Sequence, residues 1–385
     1  MQHFYFDHNA TTPVCPEAVE TAVECFGQVY GNASSIHHFG QAAKQRLEQA
    51  RRQAAALIGC TPREIVFLSG GTEADNLALL GTLRCHRRAS RHMITTAIEH
   101  PAVLHTCAQL EREGVSVTYT QVGGDGIVDP EDIRRALRPD TVLISVMHAN
   151  NELGTVQPVA EIAAIAREAG VYLHVDGVQA LGKVPVDVAA LGADLYSMSG
   201  HKIYGPKGAG ALYVRRGTRL GAILFGGHHE RDRRPGTENV PGAAAFGRAA
   251  EVAGTRLNDD AQRFGELRDR LEKAILDRIP HTGVNGRRDA RTPNTANIWF
   301  DGLEGEALVI ALDLRGFSVS SGAACSSGAV EPSHVLTAIG LAPARARASI
   351  RFSIGRANTA AQVDALVEAV AASVEHLRKL SPVPA

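Results

Sequence analysis

TVLISVMHANNELGTVQPVAEIAAIAREAGVYLHVD, residues 141–176, holds two apolar runs separated by one helix-period segment. TVLISVMH (141–148) has the length and β-branched content of a strand buried on both faces. PVAEIAAIAREAG (158–170) repeats apolar residues at helical spacing and stops at Gly170, the residue type that best tolerates the conformation ending a helix. VYLHVD (171–176) returns to the strand pattern. Strand, helix and strand in this order predict a mainly parallel sheet covered on both faces.

The rhythm continues upstream. QAAKQRLEQARRQAAALIG (41–59) places Leu47, Ala50, Ala54 and Leu57 on one helical face and stops at Gly59, and EIVFLSG (64–70) is a buried strand broken at Gly70-Gly71. Asp129 is a predicted N-cap, with Pro130 at the first helical position. After about Asn258 the pattern changes. FGELRDRLEKAILDRI (264–279) is a long amphipathic helix, followed by strand TANIWF (295–300), helix EGEALVIAL (304–312), strand SIRFSIG (349–355) and a last helix from Thr359. That half reads as a smaller α+β domain. The expected division is a large domain over 15–257 and a small one built from 1–14 and 258–385, the latter carrying the loop around Cys325.

With 385 residues the chain exceeds one small core, and its 40 Lys plus Arg against 41 Asp plus Glu leave a formal net charge of −1. That balance gives no support to nucleic-acid binding or a polybasic membrane anchor. No apolar run nears the roughly 20 residues that span a bilayer, and the N-terminus lacks a secretory pattern. The six cysteines are scattered without a CxxC pair, which argues against disulfide or zinc frameworks and for reduced thiols in the cytoplasm. The adjacent histidine pairs His37-His38 and His228-His229 read as solvated loops, so no metal is expected.

Four segments carry chemistry. In LYSMSGHKIYGPKGAGALYV (195–214) a strand runs into Ser199-Gly200-His201-Lys202, a candidate Schiff-base amine among small residues or else a surface lysine in a turn. In VYLHVDGVQALGK (171–183) Asp176 ends a buried strand, on the edge where open α/β sheets bind ligands. It either caps the next helix or pairs with a cationic group such as a protonated pyridine nitrogen. LSGGTEADNLAL (68–79) brings a glycine turn to a helix start, whose free N–H groups suit a phosphate. VSSGAACSSGAVEPSHVL (319–336) sets Cys325 in a Ser/Gly/Ala run of the kind a sulfur-transferring thiol requires.

Together with YFDHNATTP, GNASSIHHFG, TTAIEHPAV, MHANNELGTVQP, RRPGTENV and IRFSIGR, these segments give a chain that resembles, nearly end to end, the cysteine desulfurases of the class V aminotransferase group, the nitrogen-fixation type above all. The resemblance implies an α/β fold of the type I class, with a mainly parallel seven-stranded sheet in the large domain, and pyridoxal 5′-phosphate (PLP) as cofactor. It implies that Lys202 joins the cofactor and moves the Cα proton, that Asp176 pairs with the pyridine nitrogen and that Gln179 bonds the ring oxygen. His100 would stack on the ring and assist proton transfer. Gly71, Thr72, Ser199 and His201 would hold the phosphate, with Thr237 reaching the phosphate of a second subunit in a homodimer. Asn151 would lie beside cofactor and substrate, and Arg351 would clamp the carboxylate of L-cysteine. Cys325 would carry the sulfur as a persulfide to an iron–sulfur scaffold or another acceptor protein, contacting a nascent cluster during transfer. The chain departs from the pattern at Gly177, where the family has Ala, and at Pro235, where Ala or Ser is common. It also ends soon after its last helix, which favours the nitrogen-fixation type over housekeeping forms. The alternatives are a selenocysteine lyase, a cysteine sulfinate desulfinase, or a catalytically dead sulfur carrier.

Overall fold

The segment 141–176 folds as its pattern predicts. In the computed structural model, which describes residues 2–86, 90–321 and 332–380, strands Thr141–Met147 and Tyr172–Asp176 are parallel neighbours joined through helix Val159–Ala169. Gly170 ends that helix at φ 66°, a left-handed conformation that costs glycine little. Around this pair lies a seven-stranded sheet in the order Ile65–Leu68, Gly210–Val214, Leu195–Ser199, Tyr172–Asp176, Thr141–Met147, His92–Thr96, Ser116–Thr120. Only Gly210–Val214 runs against its neighbours. The turn joining it to Leu195–Ser199 is too short for a crossover helix, so these two strands must pair as a hairpin.

The sheet is buried on both faces, as the unbroken apolar runs require. Ile144, Val146 and Val175 share one apolar cluster with Ile162 and Ala166 of helix Val159–Ala169, and Leu47, Ala50 and Ala54 of helix His38–Leu57 extend that cluster. Leu143, Leu195 and Leu212 pack on the other face against Leu77 and Ala78 of helix Gly71–Cys85. Asp129 caps helix Pro130–Ala136 by accepting the Glu131 N–H at 2.9 Å.

A second apolar cluster surrounds the antiparallel sheet Ser349–Ser353, Thr295–Phe300, Thr282–Val284. Helix Ala360–Leu380 covers it with Val363, Leu366, Val370 and Val374. Helix Val240–Arg278 serves both clusters: Val240 to Ala253 pack in the first, while Phe264, Leu267, Leu271 and Ile275 pack in the second. The expected boundary at 257/258 therefore falls inside one continuous helix. The N-terminal arm joins the same two regions. Phe4–Tyr5 pairs with Phe317–Ser318, and the Thr12 N–H donates to the His201 carbonyl at 2.9 Å. Among the described residues no helix is long and apolar enough to cross a membrane.

Candidate active site

Met147, Asp176 and Ser199 end adjacent parallel strands, and a cavity of about 400 Å³ opens at this carboxyl edge. Its walls include Gly71, Thr72, His100, Asn151, Asp176, Gln179, Ser199, His201, Lys202 and Arg351. Ten sequence-predicted residues thus converge from separate segments. Thr237 does not line the cavity; it is exposed on the segment preceding helix Val240–Arg278. Cys325 lies outside the described residues.

Lys202 closes a single 3-10 turn, Gly200–Lys202, directly after strand Leu195–Ser199. Gly200 makes the tight turn feasible, because a Cβ there would lie 2.9 Å from the Ala209 carbonyl. The Lys202 ammonium donates to the carbonyls of Asn9 and Ala10, the latter at 2.8 Å. Burial and then the nearby Arg351 lower its pKa from an ordinary 10.5 to about 8. The neutral, nucleophilic amine is therefore reached near neutral pH. The rate at which the apoprotein takes up PLP should rise as pH climbs toward about 8 and level off above it. Stopped-flow absorbance against pH checks this; a rate still climbing beyond pH about 10 contradicts it.

Asp176 is buried at the cavity floor, where its carboxylate accepts the Val178 N–H at 3.0 Å and enters no ion pair among the described residues. Burial pushes its pKa up. It caps the adjoining turn and also faces the cavity. Beside it lies Asp75, held well above the carboxylate range by burial and by Asp176. His174 fixes the layer beneath through hydrogen bonds to Ser145 Oγ at 2.8 Å and Ser197 Oγ at 2.9 Å, and burial drives it down to about 3, so it is neutral.

Helix Gly71–Cys85 starts at Gly70 without a side-chain cap, leaving its first N–H groups directed at the cavity end beside Ser199 and His201. His201 is bonded to Thr11 Oγ1 at 3.1 Å, and burial together with Lys202 lowers it to about 4. His100 caps helix Pro101–Arg112, its Nδ1 accepting the Ala102 N–H at 3.1 Å, while its ring lines the cavity. Burial lowers its pKa, which favours the neutral ring. Arg351, buried, donates to Asp7 Oδ1 at 2.7 Å and to the Asn151 carbonyl at 3.0 Å, while its Nε has no hydrogen-bond partner among the described residues.

These residues fit PLP. The cavity offers a buried carboxylate lacking a cationic partner, an uncapped helix start for an anion, and an amine of lowered pKa. Sequence reasoning named no role for Asn9, Ala10 or Asp75, which also line the cavity. Asp75 left a readable signal, a charged residue on the apolar face of helix Gly71–Cys85 beside Ala74 and Ala78.

The departure at Gly177 has a structural cause. A Cβ there would lie 1.9 Å from the ring of Tyr196, which is fully buried and bonded through its hydroxyl to His148 Nδ1 at 3.0 Å. Gly177→Ala should cost about 1–3 kcal/mol through overpacking. An earlier thermal unfolding midpoint, recovered when Tyr196→Met is added, checks it.

A family model described as Aminotransferase class-V matches residues 4–366. "Cysteine desulfurase IscS" of Methanosarcina thermophila is 47% identical over 98% of this chain and 93% of its own length. "Cysteine desulfurase" of Trichormus azollae is 48% identical over 99% and 95%. Among solved structures, a "NifS-like protein" superposes with TM-score 0.92 at 34% identity, covering 98% of this chain and all of the other. "SspA in complex with cysteine" superposes with TM-score 0.81 at 36% identity, covering 91% and 98%. The chain belongs to the class V aminotransferase family, the fold type I enzymes that use PLP. Its full-length relatives narrow this further: it is an enzyme of the cysteine desulfurase type.

Proposed function

We propose that the enzyme moves the sulfur of L-cysteine onto Cys325 and delivers it to an acceptor protein of iron–sulfur cluster assembly, with nitrogenase maturation as the particular destination. The observation that carries the chemistry is one cavity holding Lys202, Asp176 and Arg351 together. The described flanks of the Cys325 segment support the thiol's part. Ser320 exchanges backbone hydrogen bonds with Arg351 at 2.7 and 3.2 Å. Beyond the segment, Ser333 Oγ donates to Glu152 Oε2 at 2.6 Å, and His334 Nε2 bonds the Glu99 carbonyl at 2.9 Å. Both flanks are thus tied to neighbours of Arg351, Asn151 and His100.

PLP bound here supplies an aldehyde for amines and an electron-accepting ring. Gly71, Thr72, Ser199 and His201 hold its phosphate, Gln179 its ring oxygen, and His100 stacks on its ring. Asp176 keeps the pyridine nitrogen protonated, and that cation compensates the buried carboxylate. Arg351 and Asn151 orient the substrate, Arg351 as a planar fork for the carboxylate in exchange for part of its bond to Asp7. Lys202 takes the Cα proton. His100 accepts the Cys325 proton, and the thiolate attacks the substrate's sulfur. The S–S bond forms as the substrate's Cβ–S bond breaks, the electron pair leaving with carbon. Cβ then gains the proton held by His100 and Lys202 returns its proton to Cα, so that L-cysteine plus the Cys325 thiol become L-alanine plus a Cys325 persulfide. Sulfur is oxidised to the sulfane level and the carbon fragment is correspondingly reduced.

A homodimer accounts for Thr237, which serves the other subunit's phosphate in this reading. Phe26, Tyr30, Ile36 and Phe225, which are 72%, 66%, 93% and 92% exposed, are side chains a second subunit would cover in this reading. The reading also takes the chain as cytoplasmic, with a large domain over 15–257 and a small one built from 1–14 and 258–385. Incubation of the purified PLP-loaded enzyme with L-cysteine and a thiol reductant should yield alanine and sulfide in equal amounts. Turnover confined to selenocysteine or cysteine sulfinate contradicts this reading. Co-purification with a nitrogenase-specific scaffold tests the destination, and capture of a general scaffold alone removes it.

A further inference from the structure

Lys183 is a buried amine for which the mechanism above has no use. It is 7% exposed, and its Nζ donates to two neutral oxygens, Gln179 Oε1 at 2.5 Å and Asn9 Oδ1 at 3.2 Å. No ion pair involves it among the described residues. Burying a lysine without a carboxylate is costly. Burial, followed by Lys202 and Arg351, pushes its pKa well below the ordinary lysine range. A lysine amine donates whether charged or neutral, so its use as a donor survives this shift.

We infer that Lys183 is a positioning residue: its amine engages the Gln179 carbonyl oxygen and thereby turns the Gln179 NH₂ toward the cavity, where PLP presents its ring oxygen. A glutamine amide has one acceptor end and one donor end, and a donor fixed behind it decides which end faces forward. That NH₂ donates to the Asn9 carbonyl at 2.9 Å, the same carbonyl that takes a hydrogen bond from Lys202. Asn9 is itself immobilised. Its Nδ2 donates to Thr295 Oγ1 at 2.8 Å and the Asn151 carbonyl at 3.1 Å, and its Oδ1 accepts from Asn294 Nδ2 at 3.0 Å. Gly182, at φ 70°, gives the turn that returns Lys183 over Gln179. Lys183, Gln179 and Asn9 form one connected network, in which the Lys183 amine meets only amide oxygens and the Gln179 NH₂ is left to donate on its other side.

The inference rests on Gln179 being a cofactor contact, and a double-mutant cycle separates the two claims. PLP affinity of the apoprotein and the visible absorption spectrum of the loaded protein, neither requiring turnover, are measured for Lys183→Met, Gln179→Ala and the double variant. Lys183→Met should weaken PLP binding about three- to tenfold and displace the absorption band as Gln179→Ala does. In the Gln179→Ala background it should add nothing. A wild-type spectrum and affinity in Lys183→Met, beside a shifted Gln179→Ala, overturns the inference alone, as do losses that sum in full. Wild-type behaviour of Gln179→Ala overturns the cofactor contact and the inference with it. If Lys183→Met does not fold, Lys183→Gln keeps a donor in the same turn. It must then hold the wild-type band, and a band displaced as far as in Gln179→Ala counts against the inference.

Discussion

Lys202→Ala lowers kcat for alanine formation from L-cysteine by at least about 10⁴-fold, the largest loss expected of any single substitution in the cavity. The size follows from two duties on one atom. The amine receives the cofactor, and the same nitrogen moves the Cα proton. Its neighbours cannot substitute: Lys183, a second buried amine bonded to Asn9 as Lys202 is, is committed to Gln179 and Asn9. The carbonyls of Asn9 and Ala10 that hold the Lys202 ammonium accept hydrogen bonds but can neither take up a proton nor provide a nucleophile. The variant should lose the absorption band of the amine-bound cofactor while PLP remains weakly held through its phosphate. Alanine production within tenfold of wild type contradicts the assignment.

Cys325→Ala separates binding from transfer. Every described cavity residue is untouched by it, so PLP loading and its yellow colour persist at wild-type affinity. Sulfur delivery to an acceptor falls by about 10³-fold or more, because the nucleophile that cleaves the Cβ–S bond is gone. Sulfide release at the wild-type rate sinks the role given to this thiol. Of the other cysteines, Cys15, Cys25 and Cys107 are buried, and burial pushes Cys107 and Cys60 up, Cys60 to about 12. Neither offers a ready thiolate.

Much of the large sheet was legible because strands buried on both faces write themselves as unbroken apolar runs, and because glycine and proline mark the turns between. The continuity of one helix across residues 257 and 258 was not. Helix Val240–Arg278 changes partners midway without any break in its own geometry, and Gly254 inside it interrupts neither periodicity nor packing. Lys202, Asp176 and Arg351 were readable from local context joined to family pattern. Asn9 was not, since its importance lies in contacts with residues far along the chain, Lys202, Lys183 and Thr295 among them. Gly177 read as a bare departure from the pattern. Its reason is a three-dimensional one, the Tyr196 ring that occupies the space of a Cβ.

The central claim is that a cofactor-bearing lysine and the Cys325 thiol act on one substrate. Peptide mass spectrometry after exposing the PLP-loaded enzyme to a single equivalent of L-cysteine, without reductant, tests it most directly. The account predicts one added sulfur atom on the Cys325 peptide, with an equal amount of alanine released, and neither in Lys202→Ala. Alanine formed while the added sulfur sits on another cysteine, or on none, contradicts it.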